Sequence, residues 1–153
     1  MELTTFGAAI KYAIRLETQA MNIYNDAAQA AKNKEYKSIL FDLSASNKKR
    51  KAMLENLYNE NVYSDQDTGI FEPIPGLEGD SYLTQSQQSN KVEFSKIISL
   101  GMEMEEKSKS FYLDLAAQLK SRRRGLAKKL EKTAQVNLER RLKLKSLQDN
   151  FPI

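Results

Sequence analysis

The sequence predicts an all-α protein, a four-helix bundle made of two helix pairs joined by a long crossover. Most of its 153 residues fall in segments whose apolar side chains recur every three to four positions. Those segments repeat one another. Ile10, Glu17, Tyr24 and Asp26 match Ile98, Glu105, Tyr112 and Asp114 at an offset of 88, and Leu40, Asn47, Arg50, Leu54 and Leu57 match Leu130, Asn137, Arg140, Leu144 and Leu147 at an offset of 90. Between the two copies, residues 60–89 lose the periodicity and gather Pro, Gly and short polar residues. The chain therefore reads as one domain over 1–153: a helix pair at 5–59, a crossover at 60–89, and a helix pair at 90–149.

Composition narrows the chemistry before any motif is considered. There is no Cys and no His, which excludes disulfides, zinc ribbons and iron–sulfur clusters and removes the commonest metal ligand and general base. No apolar run approaches the length needed to span a bilayer, and the N-terminal stretch lacks a basic segment followed by an apolar block. A cytoplasmic location is the expectation. The net charge of +4 conceals an asymmetry: residues 59–90 hold six acids and no Lys or Arg, leaving 24 basic and 14 acidic residues elsewhere. A basic helical body of this kind can attract nucleic acid or acidic partners.

Taken in order, Thr4 or Thr5 can cap a first helix reaching about Ala31, with a buried stripe of Ile10, Ala13, Ile14, Glu17, Ala20, Met21, Tyr24, Ala27 and Ala28. Asn33 can cap a second helix over about 35–59, with Tyr36, Ile39, Leu40, Leu43, Asn47, Arg50, Leu54 and Leu57 inward and Lys48, Lys49 and Lys51 outward. A helix of about 25 residues is about 37 Å long, and the 60–89 segment is long enough to run that length back, which sets the third helix parallel to the second. Asp65 and Asp67 lack the Gly and acidic spacing of a calcium loop. Asn90 and Glu93 form a capping-box start for a third helix to about 120, with Phe94, Ile97, Ile98, Gly101, Glu105, Ser108, Phe111, Tyr112, Leu115 and Leu119 inward. A fourth helix over about 122–149 buries Leu126, Leu130, Thr133, Asn137, Arg140, Leu144 and Leu147.

In all four stripes a polar residue sits at the centre, where burial demands a partner. The order of helices and these positions resemble the rubrerythrins, within the ferritin-like carboxylate bundles, over nearly the full length of the chain. The spacings Glu17-x6-Tyr24 and Glu105-x6-Tyr112 look like theirs, as does the crossover Glu72-Pro-Ile-Pro-Gly-Leu-Glu78 with its Asp80-Ser-Tyr82-Leu exit. No rubredoxin-type domain can be present without Cys. The resemblance implies a di-iron centre and peroxide or oxygen chemistry, built from one Glu on each of two helices and Glu-x-x-His on the other two. Carried over residue by residue, the single glutamates fall on Glu17 and Glu105. The motif glutamates fall on Asn47 and Asn137, and the motif histidines on Arg50 and Arg140.

All four motif positions have thus changed, identically in both halves. Arginine carries no lone pair and stays protonated, so it repels a metal ion where histidine would bind one. The expectation is a layer with lost metal motifs, in which Glu17 pairs with Arg50, Glu105 pairs with Arg140, and Asn47 and Asn137 bridge them. Tyr24 and Tyr112 read as core aromatics with bonded hydroxyls rather than redox residues. Glu103 and Glu106 should face solvent.

The remaining feature is basic. Arg122, Arg123 and Arg124 open the fourth helix, where the macrodipole disfavours cations and a bound anion would be welcome. Lys128, Lys129, Arg141, Lys143 and Lys145 extend the charge along it. A solvated face is the plainer reading, because no nucleic-acid motif and no aromatic interleaving accompany it. The favoured function is a non-catalytic structural or interaction protein, forming a homo-oligomer such as a dimer, with no cofactor and no membrane contact. The alternatives are an iron-dependent oxidoreductase with atypical ligands and an anion or nucleic-acid binder working through the fourth helix.

Overall fold

The computed structural model describes residues 6–62, 94–121 and 123–150. They form four helices: α1 Phe6–Ala30, α2 Lys34–Val62, α3 Phe94–Leu119 and α4 Arg124–Asn150. The expected caps at Thr4 or Thr5, the Asn90–Glu93 capping box, Asp65, Asp67, nearly all of the crossover, and Arg122 lie outside the described residues. Asn33 does cap α2. Its Oδ1 accepts from the backbone N–H of Glu35 at 2.9 Å and of Tyr36 at 3.3 Å, satisfying two of the donors that a helix start leaves open.

Hydrogen bonds between helices fix their directions. On α1 and α3, Tyr24 meets Gly101 and Glu105, so the late part of one lies beside the early part of the other. On α2 and α4, Arg50 reaches Asn137 while Asn47 meets Arg140. Both pairs are antiparallel. Consecutive helices pack together, α1 on α2 and α3 on α4, which makes α2 and α3 parallel, as the crossover length requires.

The apolar residues divide into two clusters, one at each end. The first gathers Phe6, Ile10 and Leu16 from the start of α1, Leu54 and Leu57 from the end of α2, Phe111, Tyr112 and Leu115 from the end of α3, and Leu130 from α4. The second gathers Tyr24, Leu40, Leu43, Ile98, Met104, Leu144 and Leu147 at the opposite helix ends. Each fully buried Leu or Ile contributes about 1.5–3 kcal/mol. Stability therefore resides mainly in these two ends.

The internal repeat becomes a pseudo-twofold axis normal to the helices. It exchanges α1 with α3 and α2 with α4, and so exchanges the two clusters. Ile10 and Tyr112 belong to one cluster and their repeat mates Ile98 and Tyr24 to the other; the pairs Leu40 with Leu130 and Leu54 with Leu144 divide in the same way. The axis passes through the polar positions between the clusters.

The α1 stripe is broader than its periodicity suggests. Phe6, Ala9, Tyr12 and Leu16 are buried, while Ile14, Met21 and Ala27 are only partly so. The reason is that α1 packs against two helices, α2 and α3, and closes an arc wider than one stripe.

Candidate functional site

Six side chains meet in the layer between the clusters, and all are buried: Glu17, Asn47, Arg50, Glu105, Asn137 and Arg140. Each comes from mid-helix, and the three-residue spacing of Asn47 to Arg50 and of Asn137 to Arg140 sets both members of a pair on one face. Arg50 Nη1 donates to Glu17 Oε1 at 3.0 Å, and Asn47 Nδ2 donates to Glu17 Oε2 at 3.3 Å. In the other half, Arg140 Nη2 lies 3.4 Å from Glu105 Oε2, and Asn137 Nδ2 donates to Glu105 Oε1 at 2.7 Å.

Two further bonds join the halves. Arg50 Nη1 donates to Asn137 Oδ1 at 3.3 Å, and Arg140 Nη2 donates to Asn47 Oδ1 at 2.6 Å. The six residues therefore close a ring: Glu17, Arg50, Asn137, Glu105, Arg140, Asn47 and back to Glu17. Both expected ion pairs are present, and both asparagines bridge. Each Asn donates to the carboxylate of its own half and accepts from the guanidinium of the other, a use of the amide that neither Asp nor Glu could provide.

The tyrosines flank the ring. The Arg50 guanidinium lies 5.6 Å from the Tyr112 ring centroid, and that of Arg140 lies 5.7 Å from Tyr24. Within a buried site such contacts add to the stabilisation of each cation. Here the symmetry breaks. Tyr24 Oη donates to Glu105 Oε2 at 2.7 Å, with the Gly101 carbonyl a further 3.4 Å contact. Among the described residues, Tyr112 Oη has no hydrogen-bond partner, nor do Arg140 Nε and Nη1.

Gly101 accounts for part of this. A Cβ there would stand 3.1 Å from the Tyr24 ring, its hydroxyl and Leu144 Cδ1. The repeat mate of Gly101 is Ala13, which carries that Cβ. Glycine leaves the room in which Tyr24 approaches its carboxylate. Sequence reading placed Gly101 in the core but not this role. The signal available was the single Gly inside a helical stripe.

Burial and charge act together on the titrating groups. Burial pushes the Glu17 carboxyl up, against the pull of Arg50 and Arg140. Burial also pulls Arg50 down, but Glu17, Tyr112 and Glu105 outweigh it and raise the net value. Both tyrosines are pushed well above the ordinary phenol range, first by burial and then by a facing carboxylate, Glu105 for Tyr24 and Glu17 for Tyr112.

The basic start of α4 is built differently. Arg123 precedes the helix and its guanidinium lies 4.9 Å from the Phe6 ring centroid, while Arg124 is exposed. Glu103 and Glu106 face solvent as expected and pair with Lys107 and Lys109; Glu106 also meets Arg141 at 3.7 Å.

No protein-family model and no curated protein matches this chain. One solved structure does: a Thermotoga maritima protein described as a candidate ferritin-like diiron-carboxylate protein, with a TM-score of 0.74 and 15% sequence identity over 97% of each chain. The fold is ferritin-like. At that identity the likeness is one of backbone architecture, and the side chains of the ferritin-like bundle must be judged on their own chemistry.

Three outcomes test the ring. Glu17→Gln or Arg50→Met alone should cost about 3–5 kcal/mol in denaturant unfolding, because each leaves a buried charge without its partner. The double change should cost clearly less than the two singles added, and additive losses would contradict the pairing. Gly101→Ala sets a helix-propensity gain of about 1 kcal/mol against crowding of Tyr24 and Leu144 at 3.1 Å. With Tyr24→Phe as background, which removes the crowded hydroxyl, the same change should be more favourable, as read by denaturant unfolding. Finally, the raised phenols stay protonated in the folded state while the unfolded chain ionises near the ordinary value of 10.0. Their contribution is thus complete below that pH and lost as pH climbs above it. Tyr24→Phe with Tyr112→Phe should flatten the alkaline decline of stability and remove two phenolates from the absorbance rise on alkaline unfolding.

Proposed function

We propose that this ferritin-like bundle is a metal-independent structural or interaction protein, in which two arginines take over the electrostatic role of two metal ions. One observation carries the reading. Both carboxylates of the layer are already engaged by a guanidinium, at 3.0 Å for Glu17 with Arg50 and 3.4 Å for Glu105 with Arg140.

A di-iron centre does not fit these residues. It requires about four carboxylates and two neutral imidazoles to neutralise and hold two cations. This layer supplies two carboxylates, two amides and two permanent cations. A metal ion entering it would face Arg50 and Arg140 with no free carboxylate to balance them. Among the described residues, no three His, Cys, Asp or Glu side chains come together elsewhere. The competing reading, an iron-dependent oxidoreductase with atypical ligands, therefore has no donor set in the layer to work with.

The protein is expected to act in the cytoplasm and as a homo-oligomer. Among the described residues no helix is long and apolar enough to cross a membrane. Leu142 and Leu113, 54% and 44% exposed, are apolar side chains that self-association would cover.

Two preparations test the reading. Purification from iron-rich, anaerobic culture followed by elemental analysis should give far less than one iron per chain. Stoichiometric iron with an oxo-bridged absorption would overturn it. The fourfold change Asn47→Glu, Arg50→His, Asn137→Glu and Arg140→His should recreate a ligand set on the same backbone. That variant should bind two divalent ions per chain and gain thermal stability on adding them, while the parent shows neither response.

A further inference from the structure

The pseudo-twofold axis supplies an internal control for the surface of the bundle. Because α2 and α4 occupy equivalent places, any residue the fold itself demands should recur in both. At five core positions they agree: Leu40, Asn47, Arg50, Leu54 and Leu57 match Leu130, Asn137, Arg140, Leu144 and Leu147, while the buried pairs Leu43 with Thr133 and Ser44 with Ala134 differ. On the surface they do not. Lys128, Lys129, Lys132 and Lys143 of α4 correspond to Ser38, Ile39, Asp42 and Met53 of α2. The same helix in the same setting folds without these lysines.

The excess is largest on one helix. Outside the layer, α4 carries seven Lys and Arg against Glu131, Glu139 and Asp149, while its equivalent α2 carries five Lys against four acids and α3 carries three cations against three acids. The α3 lysines Lys107 and Lys109 are neutralised by Glu103 and Glu106. Lys128, Lys129, Lys132 and Lys143 are exposed, and among the described residues none of them has an ion pair.

The contacts of α4 also say which way these lysines face. Arg140 reaches Asn47 on α2, whereas Arg141 meets Glu106 on α3. At 3.6 residues per turn, the four lysines then lie on a strip of about 100° between the outward face and the flank turned to α2. The strip runs about 22 Å along the helix. Glu139 is the one acid within it. Lysine ammoniums spaced along a line, strongly hydrated and mobile, suit a row of phosphates better than the fixed geometry of a single anion.

We propose that this strip of α4 is a docking surface for the phosphate backbone of a nucleic acid, bound without base specificity. The surface is independent of the metal-free reading of the core, and either can stand without the other. The test is fluorescence anisotropy of the intact protein with a single-stranded 20-mer of mixed sequence at 50 to 200 mM salt. Four phosphate contacts predict about a 50-fold loss of affinity across that range. Changing Lys128, Lys129, Lys132 and Lys143 together to Gln should remove most of the affinity and most of the salt dependence, with circular dichroism and melting temperature unchanged. Changing Lys34, Lys37, Lys48 and Lys51 to Gln, on the flank of α2 turned toward α1, should have a much smaller effect.

Three results would overturn the proposal: no binding at 50 mM salt, equal losses from both sets of four, or displacement of the oligonucleotide by polyglutamate at matched charge. The last would assign the strip to an acidic protein. A fourth would also do so: binding seen only after Asp65, Asp67, Glu72, Glu78 and Asp80 are neutralised, which would mean the chain's own acids already satisfy the lysines.

Discussion

The bundle depends on how four charges are kept in its middle. Two carboxylates and two guanidiniums are removed from water, and each would be costly if left alone. The ring resolves this by giving every charge an opposite partner and a bridging amide, so that the layer is neutral and closed across all four helices. A ring of this kind adds little net stability compared with an apolar core of the same volume. It contributes register instead. If α2 slipped by one turn against α4, the Arg50–Asn137 and Arg140–Asn47 bonds would fail together, whereas leucines at the bundle ends would find other leucines.

The halves are related closely but not equally, and the difference is local. Where Gly101 faces Tyr24, the phenol donates to its carboxylate at 2.7 Å; Tyr112 faces the Glu17 carboxylate without a bond of that geometry. The compensation lies in the aromatic faces, since each guanidinium keeps nearly the same distance to its tyrosine, 5.6 Å and 5.7 Å. The ion pairs occur in both halves, but the second is longer, and Arg140 Nε and Nη1 lack partners among the described residues along with the Tyr112 hydroxyl.

Much of this was legible in the sequence because the repeat samples the fold twice. The four helices and the inward place of the six polar residues follow from periodicity, the parallel setting of α2 and α3 from the crossover length, and the grouping of the six into one layer from the ferritin-like resemblance plus the demand that a buried charge be paired. What periodicity cannot give is the neighbour on the far side of a stripe. Tyr12 and Leu16 are buried because α1 touches two helices, and a single helix wheel contains no second partner. The same gap hid the seat of Arg123 against Phe6 and the Tyr24–Gly101 approach. Each depends on a distance between helices rather than on spacing within one.

The chemistry left in the layer is narrow. The guanidiniums hold no lone pair, the phenols are pushed away from neutral pH, and the carboxylates are occupied. On the proposed reading, such a core serves to hold the helices in place. Selection for a role would then act on the outside of the molecule. The two halves agree at the ring and at Leu40, Leu54 and Leu57 with their counterparts, and differ at Lys128, Lys129, Lys132 and Lys143, the positions of the proposed docking strip. Charge that the fold does not need, in greater excess on one of two equivalent helices and left without ion pairs among the described residues, is better explained by what the surface meets than by what the bundle requires.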